Sequence, residues 1–216
     1  MPTAAKRSPG RPASEDIRAR RQEEILEAAA KLFAERGYSD ANTQELADLL
    51  QVGKGTIYRY FPTKQELFLA AVDRLVRLLK ETIDRAMEGI DEPFERMAVG
   101  VRTYLRYFAE HSEFVELLIQ ERAQFRDRMK PTYFVHREAN VGRWREQFRE
   151  LIAEGRVRDV PAERVTDVIG DLLYGTMFTN YFAGRKRSPE DQAADILDIA
   201  FHGVFSESER RRRQAE

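Results

Sequence analysis

The stretch TQELADLLQVGKGTIYRYFPTK, residues 43–64, decides the fold. Asn42, followed three positions on by Glu45, fits a capping box, in which the side chain at the helix start accepts a backbone N–H and the acid reaches back. The spacing predicts a helix of about two turns that carries Leu46, Ala47, Leu49 and Leu50 and stops at Val52-Gly53. A second short helix follows from Lys54 to Tyr60 and ends at Phe61-Pro62. Thr63 with Glu66 makes a second capping box. It opens a long helix in which Phe68, Val72, Leu75, Val76, Leu79 and Ile83 keep the helical period.

Upstream, Ile25, Ala29, Leu32 and Phe33 fall on one helical face from about Asp16, with Gly37 just past the end. A longer helix bracing two short ones across a tight turn is a helix-turn-helix, whose second helix suits the major groove of DNA. On a helical wheel with Ile57 inward, Phe61 also falls inward. Gly55 and Arg59 then point out, with Thr56 and Tyr58 on the shoulders. Gly55 leaves the backbone free to approach base edges, and the Arg59 fork matches the O6 and N7 acceptors of guanine. Thr56, Tyr58 and Tyr60 offer hydroxyls to phosphate or base edges. Thr43 and Lys64, each at a helix start, face the same backbone.

Charge agrees with this locally but not in total. The chain has 216 residues, with 36 Lys and Arg against 37 Asp and Glu, a net charge of −1. Yet residues 51–64 hold Lys54, Arg59 and Lys64 and no acid, and the first 21 residues hold six cations and two acids. Residues 1–15, with Pro2, Pro9 and Pro12 among the charges, read as a flexible basic arm.

The run from Thr43 to Lys64, preceded by Leu32-Phe33-Ala34-Glu35-Arg36-Gly37-Tyr38, closely resembles the DNA-binding domain of TetR-family transcriptional regulators. The resemblance covers about the first seventy residues. It implies a homodimer on double-stranded operator DNA, with a C-terminal bundle that binds a small inducer and forms the dimer. It also implies DNA contact at Thr43, Lys54, Gly55, Thr56, Tyr58, Arg59, Tyr60 and Lys64. Two positions depart from the family pattern. Its usual Ala-Gly in the turn is Leu50-Gln51 here, and its usual Ser before the lysine is Gly53, so the turn is expected to survive and a serine contact to phosphate to be lost. Ser8-Pro9-Gly10-Arg11-Pro12 in turn resembles the core of an AT-hook, whose arginine, here Arg11, enters a narrow minor groove.

Beyond Gly89 five more helical segments follow, best formed as the seams Val141-Trp144-Phe148-Leu151-Ile152, Val165-Val168-Ile169-Leu172-Leu173 and Ala193-Ile196-Leu197-Ala200-Val204. Ser188, Pro189, Glu190 and Asp191 make a strong start for the last helix. No period-two alternation supports a sheet, so the fold class is all-α: an N-terminal three-helix helix-turn-helix domain and a C-terminal helical bundle, about nine helices in all. The expected division is an arm over 1–15, a DNA-binding domain over 16–70, a ligand-binding and dimerisation domain over 71–206 and a charged tail over 207–216.

Within the bundle, aromatic and polar residues interleave as a ligand cavity requires. The candidates are Tyr104, Phe108, Phe114, Leu118, Glu121, Arg122, Phe125, Asn140, Trp144, Tyr174, Phe178 and Asn180. Ordinary core packing is the better account of any single aromatic among them. Glu121 or Arg122 is expected to point inward and to need an internal partner or a ligand, and Asn180 raises the same question. The last two helices, with Gly170, Gly175, Ala194, Ala200 and Gly203 permitting close approach, are the expected homodimer face.

An enzyme is not expected. Gly53-Lys54-Gly55-Thr56 lacks the earlier glycine of a phosphate-binding loop, since position 48 is Asp. His111, His136 and His202 lack metal-ligand spacing, so neither metal nor cofactor is called for. There is no cysteine and no run of membrane-spanning length, which leads to the expectation of a cytoplasmic protein with no membrane partner. The reading is a ligand-responsive transcriptional regulator, a repressor released by its inducer. The alternative is a dimeric architectural DNA-binding protein with no inducer.

Overall fold

The computed structural model describes residues 12–185, 187–204 and 211–212. Among them there is no strand, and ten helices follow one another: α1 Pro12–Asp40, α2 Thr43–Leu49, α3 Lys54–Tyr60, α4 Lys64–Ala86, α5 Pro93–Glu110, α6 Ser112–Gln124, α7 Thr132–Asn140, α8 Gly142–Ala153, α9 Ala162–Ala183 and α10 Pro189–His202. Val141, alone between α7 and α8, keeps helical angles of φ −69° and ψ −23°. Taken as one interrupted helix, the two bring the count to nine. No helix among the described residues is long and apolar enough to cross a membrane. The expected basic arm and charged tail lie for the most part outside the described residues.

The chain divides into two compact units, Met1–Arg74 and Leu75–Glu216. In the first, helix starts are set by side chains where the sequence places capping residues. Asn42 accepts from the Gln44 N–H at 2.8 Å and the Thr63 hydroxyl accepts from the Glu66 N–H at 3.0 Å, each satisfying a donor that has no partner inside its helix. Gly37, at φ 77° and ψ 157°, breaks the helical run of α1. The core joins the helices through rings: Phe33 meets Phe68 edge-on at 5.1 Å and Tyr38 meets Phe68 at 5.2 Å. Ile25, Ala29, Leu46, Ala47 and Ile57 close around them, all buried, each large apolar side chain contributing about 1.5–3 kcal/mol. Arg74 donates to Glu23 at 2.6 Å and ties the end of this unit to α1.

In the second unit, Glu92 caps α5 by accepting from the Glu95 N–H at 2.7 Å, with Pro93 at the first helical position. Ser188 caps α10 in the same way, accepting from the Asp191 N–H at 3.0 Å. Met97, Phe148, Leu151 and Ala162 form one buried cluster with Phe94, Trp144, Val157, Val165 and Ile169 around it. A separate ladder of rings runs Tyr104, Phe108, Phe114, with Phe108 and Phe114 stacked at 5.0 Å.

Candidate functional site

The first candidate surface is built on α3. Ile57 is fully buried and Phe61 nearly so, which fixes the rotation of the helix. Lys54, Gly55 and Arg59 are exposed as a result, and Thr56, Tyr58 and Tyr60 are half-buried beside them. Gly53 starts the helix with extended backbone and no side-chain cap. A Cβ added at Gly55 meets nothing within 4 Å, so no packing inside the protein demands a glycine there.

The turn before α3 closes by backbone bonds alone. Val52 N–H donates to the Ala47 carbonyl at 2.9 Å and Gln51 N–H to Asp48 at 3.1 Å, the paired bonds of a Schellman motif. Its left-handed position is Gln51, at φ 53°. A glutamine occupies the conformation that glycine adopts without strain.

Around α3 the polar groups are engaged in defined ways. Thr43 is buried, with its hydroxyl 3.0 Å from that of Tyr58, so these two expected DNA contacts hold each other. Lys64 donates to the Ser39 carbonyl at 2.9 Å and sits 5.0 Å over the Tyr38 ring. Lys54 lies 5.9 Å over the Tyr58 ring. Arg59 lies 5.7 Å over the Tyr60 ring and Arg18 of α1 lies 5.9 Å over the same ring. Arg18 was not singled out from sequence, because it stands among mixed charges where no periodicity marks it. The face thus presents a bare backbone patch with cations on aromatic platforms, chemistry suited to phosphates and base edges. Arg11 lies outside the described residues.

The second candidate site is a cavity of about 230 Å³ wholly within the second unit. Val76, Leu79 and Ile83 of α4, Met97 and Val101 of α5, Trp144 and Phe148 of α8, Ile169 and Leu173 of α9 and Leu197 and Phe201 of α10 line it. Its polar groups are Lys80, Tyr104, Tyr133, His136, Arg137, Asn140, Arg143 and Thr166. Tyr104 and Tyr133 hold their hydroxyls 2.9 Å apart. Burial is the main force on both phenols: it pushes Tyr133 up to about 12 and Tyr104 well above the ordinary tyrosine value. Asp84 accepts from both Lys80 and Arg143. Burial raises its carboxyl, but the two cationic donors together outweigh that and hold it below the ordinary value. The Arg137 guanidinium lies across the backbone of Gly170, where an added Cβ would stand 2.6 Å from its Nη2.

Of the residues expected at a ligand cavity, Tyr104, Asn140 and Trp144 line it. The others lie elsewhere. Phe108, Phe114 and Leu118 are buried between α5 and α6, because the apolar face of α6 turns to the ring ladder. Glu121, 1% exposed, accepts from Arg128 and from the Thr132 N–H and hydroxyl at 2.9 and 2.7 Å. The buried acid has internal partners and fastens the segment between α6 and α7. Arg122 is exposed and donates to the Arg126 carbonyl, and Phe125 is half-buried at the end of α6. Tyr174 and Phe178 pack on each other at 4.9 Å on α9. Asn180 donates to Gln192 at 2.6 Å and joins α9 to α10. Tyr133 and Arg137 were missed because α7 is short, and its period does not say which side meets α5 and α9.

The helices α9 and α10 are apolar on two sides. Ile169, Leu173, Leu197 and Phe201 face the cavity, while Val168, Leu172, Phe182 and Ile199 are exposed. Gly170 does not serve close helix approach here, since its open side holds Arg137. No group of His, Cys, Asp and Glu side chains that could hold a metal occurs among the described residues.

Comparison with known proteins accords with this geometry. Residues 25–71 match the model for bacterial regulatory proteins, tetR family. YhgD of Bacillus subtilis (strain 168), an uncharacterized HTH-type transcriptional regulator, is 32% identical over 123 residues, 52% of this chain and 64% of its own length. The chain spans between about half and two thirds of the length of such curated relatives. Among solved structures, the TetR-family regulator PfmR from Thermus thermophilus superposes with a TM-score of 0.67 at 24% identity, over 84% of this chain and 99% of that one. AibR in complex with isovaleryl coenzyme A and operator DNA gives 0.64 at 22% identity, over 86% and 100%. At these identities the structural likeness speaks for the fold, an N-terminal helix-turn-helix followed by a helical bundle. Over residues 25–71 the chain is similar to the bacterial regulatory proteins of the tetR family.

Proposed function

We propose that the protein is a ligand-responsive transcriptional repressor that acts in the cytoplasm as a homodimer on operator DNA and is released by a small molecule. The observation that carries the reading is α3: a helix locked by Ile57 and Phe61, with Gly55 bare and Arg59 exposed beside it. Arg59 reads a guanine; Lys54, Thr56, Tyr60 and Lys64 engage the backbone and groove wall; Thr43 orients Tyr58; and Arg11 enters the adjacent minor groove. The domain layout proposed is 16–70 for DNA and 71–206 for ligand and dimer.

The exposed apolar side chains of α9 and α10 support the dimer, because large apolar groups left open on two helices suit an interaction surface. Packed against the same helices of a second copy, it would give a four-helix bundle with two-fold symmetry. The cavity supports a regulator over a purely architectural protein. Its wall includes Val76, Leu79, Lys80 and Ile83 of α4, the helix that begins at Lys64 beside the recognition helix. A ligand there displaces α4, changes the spacing of two recognition helices and prevents both from docking in half-sites one turn apart.

The test is the affinity for a duplex from the flanking promoter, measured at several salt concentrations with and without ligand. Arg59→Ala is expected to relax preference at one base position, and Lys54→Ala to weaken all sequences alike and to reduce the salt slope by about one. Equal DNA affinity of ligand-bound and ligand-free protein at every salt would contradict the switch.

A further inference from the structure

We infer that the cavity takes a small single-chain amphiphile with a carboxylate head, held where Tyr104, Tyr133 and Arg137 converge, its tail lying along the apolar wall. The inference deepens the reading of this cavity as the inducer site and rests on it.

The wall dictates the tail. Val76, Leu79, Ile83, Met97, Trp144 and Phe148 offer no hydrogen-bonding partner beyond the indole N–H and a weakly accepting thioether, so the part of a ligand that lies on this side is hydrocarbon. At about 230 Å³ the space is smaller than the roughly 300–1,000 Å³ of pockets for drug-sized molecules, which limits the tail to a short or medium chain.

The head is dictated by the phenol pair. Tyr104 and Tyr133 are 6% and 8% exposed and share one hydrogen bond, 2.9 Å long. Two hydroxyls bring two protons, and that bond uses one. The other has a poor acceptor: the Tyr104 hydroxyl meets the thioether of Met177 at 3.8 Å, and thioether sulfur is a weak acceptor. A ligand oxygen at this point gains a strong donor that the protein has left weakly used.

Arg137 sets the sign of the head. It lines the same cavity as both phenols, and its guanidinium lies against the bare backbone of Gly170. It bonds the Asp171 carboxylate at 2.9 Å and the Asp167 carbonyl at 3.3 Å. Asp171 has a side chain 74% exposed, so this ion pair is worth little in water and is readily exchanged. A carboxylate offered from the cavity side accepts charge-assisted bonds from Arg137 and a hydrogen bond from a hydroxyl of the pair. An amine in the same place meets the Arg137 cation.

The test is calorimetric titration of the full chain with octanoate, octan-1-ol and octylamine, together with the promoter-duplex affinity in the presence of each. Octanoate is expected to bind at least about tenfold tighter than octanol, a difference of about 1.4 kcal/mol, and octylamine weakest. Arg137→Gln is expected to bring octanoate down to the level of octanol. Gly170→Ala displaces only the far end of the Arg137 side chain and is expected to do the same with the melting temperature maintained, which separates the effect from misfolding. Octanol binding as tightly as octanoate, an unchanged ratio in Arg137→Gln, or no binding by any of the three overturns the assignment. Octanol releasing DNA where octanoate does not also overturns it, while the inducer site stands. Octanoate preference without any effect on DNA supports the head-group assignment and removes the inducer reading.

Discussion

Gln51 carries a left-handed backbone, φ 53°, at the turn between the bracing and recognition helices. The two Schellman bonds hold it there, and the cost of that conformation for a residue with a Cβ is about 1–2 kcal/mol. Gln51→Gly is therefore expected to stabilise the protein by about 0.5–1 kcal/mol after the extra chain entropy of glycine is counted, as a rise in the denaturation midpoint with the m-value unchanged. Two positions away, Gly53→Ser adds the missing side-chain acceptor at the start of α3, worth a few tenths of a kcal/mol over glycine, and restores a hydroxyl for phosphate. At this scale much was legible in the sequence. The caps at Asn42, Thr63 and Ser188 are local chemistry, written within four residues. The strain at Gln51 was legible only as a departure from the family turn, since nothing in the residue itself announces a positive φ.

At the scale of the element, α3 separates folding from function. A glycine within a helix costs about 0.5–1 kcal/mol relative to alanine, and the space beside Gly55 is empty. Gly55→Ala is expected to raise thermal stability and to lower DNA affinity, because the added methyl occupies the gap through which backbone approaches base edges. Stability and affinity rising together would show that Gly55 faces no groove. The rotation of α3 could be read from sequence because Ile57 and Phe61 are the large apolar residues facing inward on a seven-residue helix. The bundle was less legible. Phe114, Leu118 and Glu121 share a face of α6, but period alone does not say whether that face meets a cavity, a ring ladder or a half-buried Arg128, and here it meets the last two. Trp144 and Asn140 were singled out from sequence, whereas Arg137, in the lining of the same cavity, was not.

At the scale of the whole molecule, the overall charge of −1 says little, because it hides a local excess: Lys54, Arg59 and Lys64 stand without an acid over residues 51–64. Exposed Phe182, Val168 and Leu172 on α9 predict a dimer in solution. Phe182→Glu is expected to shift sedimentation from dimer to monomer and to weaken operator binding by at least an order of magnitude, since the two half-sites are then bound independently. The buried phenols predict an alkaline limit. The folded value of Tyr133 is about 12 against an ordinary 10, and that of Tyr104 is also raised. Their contribution to stability is full below pH 10 and is lost as pH rises toward 12. Absorbance titration of the eight tyrosines should show these two ionising last, with unfolding, and Tyr133→Phe should flatten the loss.

The most direct measurement is a nuclease footprint of wild-type and Arg59→Ala protein on the flanking promoter. The account predicts that the wild type protects a two-fold symmetric site with half-sites about one helical turn apart, and that Arg59→Ala loses discrimination between that site and neighbouring sequence. Absence of a protected site, or protection identical in the two proteins, would contradict it.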